Sequence, residues 1–141
     1  MTIPSPDDRS LLIIGIKGHA IALDRATGVE RWRATLEDSW GGSPVELLVS
    51  GGVLYATGSR DVSWLDSVTG RELRRVQTTA SSDLATMVLD GDFLFVARAG
   101  AIDCFSADGA KRWHNGLQGL GQSTVSLGFP DDVRQGRKES R

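Results

Sequence analysis

Ala20-Ile21-Ala22-Leu23-Asp24-Arg25-Ala26-Thr27-Gly28-Val29-Glu30-Arg31-Trp32 reads as a strand, a tight turn and a second strand, and variants of it return twice further along the chain. Aligned on the turn glycine, the first copy holds Leu23, Asp24, Thr27, Gly28 and Trp32. The second holds Leu65, Asp66, Thr69, Gly70 and Arg74, and the third Phe105, Asp108, Gly109 and Trp113. The glycine-to-glycine steps are 42 and 39 residues.

A period near 40 built from short β segments is the spacing of propeller blades at about four strands each, and is far too long for a β-helix rung. The turn chemistry accounts for the residues that recur. Asp24, Asp66 and Asp108 stand where a short carboxylate can accept backbone N–H bonds, and Gly28, Gly70 and Gly109 supply positive φ. A repeated aspartate could instead be a metal ligand or a catalytic carboxylate. Its neighbours here are Thr, Ser, Ala and Gly, with no converging His, Glu or second Asp, so the turn role is preferred and no metal site is expected.

The rest of the chain fits an all-β protein. Seventeen glycines beside four prolines, in 141 residues of which 40% are hydrophobic, suit one domain of many short strands and turns. Predicted strands in order are Leu11–Ile16, Ala20–Asp24, Glu30–Leu36, Val45–Ser50, Val53–Gly58, Val62–Asp66, Glu72–Thr78, Ala85–Leu89, Phe93–Arg98, Ala101–Ser106, Lys111–Asn115 and finally Ser123–Phe129. With A for the strand that opens a blade, the order is BCD-ABCD-ABCD-A. Residues 11–129 then form a three-blade array, preceded by a polar segment, residues 1–10, and followed by a basic tail, residues 130–141, expected to be disordered.

The N-terminal stretch has neither the basic start nor the apolar run of a signal peptide, and a cytoplasmic location is expected. The single cysteine agrees, and Cys104, between apolar neighbours, is expected to be a buried and inert thiol. A net charge of −2 does not point to nucleic acid or to an acidic membrane surface.

The runs Ala22-Leu23-Asp24 with Thr27-Gly28 and Trp32, Leu65-Asp66 with Thr69-Gly70, and Asp108-Gly109 with Trp113 resemble the repeat of the PQQ-like β-propellers. That superfamily contains the pyrroloquinoline-quinone dehydrogenases and the outer-membrane assembly lipoprotein, and the resemblance spans residues 11–129. It implies that Trp32 and Trp113 are anchors between neighbouring blades. Arg74 departs from the pattern, so the junction after the second blade is expected to be the weaker, with Trp64 as a substitute source of bulk.

The resemblance leaves function open, because many such propellers bind no quinone. A quinoprotein dehydrogenase would need eight blades, a Ca²⁺ site, a catalytic aspartate and often a vicinal cysteine pair. One cysteine and three units argue against an enzyme, and no cofactor is expected. His19 and His114 lie in non-equivalent parts of different units and are read as surface histidines. A protein-interaction scaffold is preferred, with the links 37–43, 79–83 and 116–122 as its candidate face and Trp40 as a candidate anchor. A second reading places small anions at Lys17, Arg60 and Arg98, which recur near the same B-to-C turn. Since propellers close with roughly four to eight blades, two chains are expected to form a six-blade ring, each lending Ser123–Phe129 by strand exchange to the partner's Leu11–Ile16.

Overall fold

The computed structural model describes residues 10–36, 44–79 and 84–130. Its strands are β1 (Leu11–Ile16), β2 (His19–Asp24), β3 (Glu30–Thr35), β4 (Leu47–Ser50), β5 (Val53–Thr57), β6 (Asp61–Asp66), β7 (Glu72–Gln77), β8 (Thr86–Asp90), β9 (Phe93–Arg98), β10 (Ala101–Ser106) and β11 (Lys111–Asn115). They form three antiparallel meanders: a three-stranded sheet β1-β2-β3 and two four-stranded sheets, β4-β5-β6-β7 and β8-β9-β10-β11. Eleven of the twelve strands read from the sequence are present, four with the bounds read and the others with ends shifted by one or two residues. The basic tail, the N-terminal stretch behind the location expectation, and Trp40 with its link lie outside the described residues, apart from Ser10 and Pro130.

Each sheet repeats one irregularity. The pairing of the last two strands slips by a residue between Ala22 and Leu23, between Trp64 and Leu65, and between Cys104 and Phe105. A bulge at this place increases the local twist as the chain enters the turn. It also fixes equivalent positions: Ala22 pairs with Trp32, Trp64 with Arg74 and Cys104 with Trp113.

Strand alternation gives every sheet two apolar faces, and the sheets stack on them. Leu54, Ala56 and Leu65 of the second sheet are buried against Ala20, Leu36 and Trp32 of the first. The opposite face of the second sheet, with Tyr55, Val62 and Trp64, meets Met87, Leu94 and Phe105 of the third. Trp64 is 4% exposed and meets Tyr55 and Phe105 edge-on, at centroid separations of 5.5 and 6.1 Å. Such aromatic pairs add to the area they bury. The junction after the second blade, expected to be weak because of Arg74, therefore has Trp64 at its centre.

Ser123–Phe129 is not a strand; only Phe129 makes an isolated bridge. The physical reason is that among the described residues no strand lies beside it to form a sheet, so its backbone has no ladder to join. It lies instead on the open face of the third sheet. The Thr86 hydroxyl donates to the Val125 carbonyl at 2.8 Å, and Phe129 packs edge-on against Phe95 at 5.8 Å. Val125 follows Ala85 by the same 40 residues by which Ala85 follows Val45.

If Trp64 rather than residue 74 anchors the second junction, Trp64→Ala should lower stability by about 3–5 kcal/mol, the range for deleting a buried tryptophan. Arg74→Ala should cost far less. Denaturant titration followed by circular dichroism makes the comparison, and equal losses would show that the junction depends on the residue at 74.

Candidate functional site

The first blade-to-blade joint shows what the repeat motif is for. Asp66 Oδ1 accepts the N–H bonds of Val68 and Thr69 at 2.9 and 3.0 Å, and the Gly70 N–H donates to the Asp66 carbonyl at 2.8 Å. The chain closes through Gly70 at φ +78°. The bare turn receives Trp32 from the preceding sheet: a Cβ on Gly70 would sit 2.5 Å from the indole. The Trp32 Nε1–H donates to the Ser67 carbonyl at 3.2 Å. Glycine is needed at 70 for its dihedral and because the indole occupies the space of a side chain.

The first turn repeats this chemistry. Asp24 Oδ1 accepts from Ala26 and Thr27 at 2.9 and 3.0 Å, and the Gly28 N–H donates to the Asp24 carbonyl at 2.8 Å. The third turn is one residue shorter and corrects the sequence alignment. Ser106, not Asp108, stands at the end of its strand, where Asp24 and Asp66 stand in the other two. The Gly109 N–H donates to the Ser106 carbonyl at 2.8 Å, while Asp108 accepts the Ser106 hydroxyl and the Ala110 N–H. Over Gly109 lies Arg74, whose Cδ would be 1.9 Å from an added Cβ. The aliphatic stem of an arginine thus takes the seat of an indole, with the guanidinium close enough to Asp108 to favour its carboxylate.

Trp113 departs from its expected role. Among the described residues it docks against no neighbouring blade: it is 45% exposed and leans on Phe95 of its own sheet at 6.0 Å. At the opposite end of the stack, a Cβ added to Gly28 would meet none of the described residues within 4 Å. Leu12 and Ile16 of β1 are about half exposed. Along β1, at the edge of its sheet, runs a groove of about 430 Å³ lined by Leu11, Leu12, Ile13, Leu47 and Val49 among others. The candidate interaction surface therefore comprises, among the described residues, the outer face of the first sheet and the part of the third sheet's outer face around Trp113.

The polar candidates fall differently. Lys17 and Arg60 are exposed in the β1–β2 and β5–β6 turns, whereas Arg98 at the end of β9 is 2% exposed. The three do not form a matching set of solvated cations. Cys104 is buried, and burial pushes its thiol up. The sequence reading missed Asp103, which is 1% exposed and accepts from Thr79 N at 3.2 Å while bonded to His114 Nδ1 at 2.7 Å, with Lys111 Nζ at 3.4 Å. His114 is thus tied to a buried carboxylate, and Asp103 fastens Thr79, just after β7, to the third sheet. Among the described residues no group of three or more His, Cys, Asp or Glu is placed to hold a metal ion. The described residues therefore offer no donor set for the Ca²⁺ of a quinone site.

Stacked antiparallel meanders, each pinned to the next by a D-strand side chain lying on a glycine turn, define a PQQ-like β-propeller repeat protein. The chain belongs to the family of the outer membrane protein assembly factor BamB, whose sequence model matches residues 2–135. Among solved structures, BamB from Moraxella catarrhalis is 28% identical with a TM-score of 0.58, over 78% of this chain and 34% of that one. A europium-containing methanol dehydrogenase is 16% identical with a TM-score of 0.57, over 74% of this chain and 23% of that one, which shows the shared fold. The chain thus spans about a third of the length of the BamB structure. Among curated proteins none matches.

The turn carboxylates carry a pH signature. Backbone N–H donors, from Thr27 and Ala26 to Asp24 and from Thr69 and Val68 to Asp66, hold both carboxyls below the ordinary value of 3.8, and the Ser106 hydroxyl does the same for Asp108. A folded value below the unfolded one gives stability that is present above about pH 4 and lost as the pH falls through the folded values. Asp24→Asn with Asp66→Asn should flatten the acid limb of the stability curve below about pH 4. An unchanged acid limb would show that these turns do not hold their carboxylates selectively.

Proposed function

We propose that this chain is a non-catalytic β-propeller scaffold for protein–protein interaction, working within a larger bacterial assembly. The observation that carries the reading is the apolar surface exposed on the outer faces of the first and third sheets in a BamB-family fold. Stiff stacked sheets present such faces without cost to the core between them. An aggregation-prone edge such as that of β1 is normally paired or covered in a working protein.

The partner proposed first is a second copy. Two copies would build a six-blade ring in which each Ser123–Phe129 adds as a strand beside the partner's β1. Two features support this. The segment is already seated on the third sheet through Val125 and Phe129. The groove along β1 offers an apolar bed between β1 and β4 for an added strand. An interface of two sheet-to-sheet junctions and two strand pairings would be apolar and on the order of 2,000 Å² or more, as in obligate homodimers.

Sedimentation velocity at micromolar concentration should give a species of twice the chain mass, and a chain ending at Gln122 should keep its sheets by circular dichroism but sediment as a monomer. A folded wild-type monomer would overturn the ring. A stable dimer of the shortened chain would overturn the exchanged strand while leaving the ring in place.

A further inference from the structure

The geometry points to the turn Asp24–Gly28 as a docking seat for the Trp113 indole of a second copy of this chain. This inference rests on the ring-closure reading above and adds the contact that sets the register and tilt of the two copies.

The template for the contact is inside the chain. Trp32 pairs with Ala22 one step before the bulge, lies on Gly70, and donates its Nε1–H to the carbonyl of Ser67, the residue after the turn aspartate. Both halves of that joint recur unused. Trp113 pairs with Cys104 one step before the same bulge, so it leaves its strand at the register of Trp32, and it is 45% exposed. Tryptophan is among the residues most enriched at interface anchor points, because it joins a large apolar ring to one N–H donor.

The receiving half is as well formed. The Asp24 turn is closed by the same three hydrogen bonds as the Asp66 turn, and Gly28 has φ +77° where Gly70 has +78°. The two turns differ in what covers them: the indole of Trp32 fills the space at Gly70, and none of the described residues lies within 4 Å of a Cβ on Gly28. Beside it is a hollow of about 420 Å³ lined by Ser10, Asp24, Arg25 and Ala26. Arg25 is the counterpart of Ser67, so its carbonyl is the acceptor that Trp113 Nε1–H would reach.

The occupant is a second copy because donor and acceptor belong to one repeat and sit at opposite ends of one stack. Under two-fold symmetry each chain gives its Trp113 and receives the partner's, so both joints close without leaving a free end. The same rotation brings Phe95 and Phe129 beside Trp113 onto the face that carries Leu12 and Ile16, which are 52% and 49% exposed.

Two variants separate this joint from the ring as a whole. Gly28→Asn keeps a residue that tolerates positive φ and meets none of the described residues of its own chain, but it blocks the seat in the dimer. Trp113→Ala removes the donor. Sedimentation equilibrium should show dimer dissociation constants raised about tenfold or more for each, as for loss of a central anchor, with the circular dichroism of the dilute chain unchanged. Trp113→Arg should retain more of the dimer than Trp113→Ala, because Arg74 shows that an arginine stem fits this seat. Mixing Gly28→Asn with Trp113→Ala restores one intact joint per dimer, so the mixed pair should associate more tightly than either variant alone. A wild-type monomer would overturn the ring-closure reading and this joint with it. A wild-type dimer whose variants bind unchanged, or weakened variants that show no recovery on mixing, would overturn the joint alone.

Discussion

A β-sheet with two apolar faces must be covered on both, and in this chain that requirement is met by stacking one twisted sheet on the next. The joint between the first two sheets depends on a turn with no side chain: the indole of Trp32 lies where a Gly70 Cβ would project and donates its N–H to a turn carbonyl. Because the contact runs from the last strand of one sheet to the turn of the next, it has a direction. A stack built this way presents a donor at one end and an acceptor at the other.

Much of the fold is legible in the sequence because it is encoded locally. Alternating apolar residues, Asx turns and glycines at positive φ lie within a few residues of each other, and they locate eleven strands and both four-stranded meanders. The features that escape depend on partners distant in the chain. Matching the glycines aligns Asp108 with Asp24 and Asp66, but the third turn is a residue shorter and Ser106 stands at the strand end. The tie between Asp103 and His114 is invisible until β10 and β11 are paired in register. Once the bulge is placed, that pairing is determined, so the repeated slip beside each turn is the signal that could have found it.

The site is legible in part. Trp32 lies over the turn glycine of the next sheet, while Trp113, at the same register beside its bulge, is 45% exposed and leans on Phe95 of its own sheet. Arg74 reads as a missing anchor, yet its methylenes fill the same seat over Gly109 and Trp64 fills the core beside it. Ser123–Phe129 has the alternation of a strand, but alternation alone cannot supply the hydrogen-bonding neighbour that makes a strand. Each of these residues has its outcome set by the adjacent blade, which is why the open faces, rather than any polar cluster, carry the functional reading.

The central claim is that the exposed edge of β1 is a pairing edge for a second copy. Amide hydrogen exchange of Leu11–Ile16, followed by mass spectrometry across a dilution series, tests it directly, because an edge that gains a ladder gains protection. The account predicts slow exchange in this peptide at micromolar concentration and faster exchange on dilution, while β5 and β9, already interior to their sheets, stay protected throughout. Exchange in β1 that is fast and independent of concentration would contradict it.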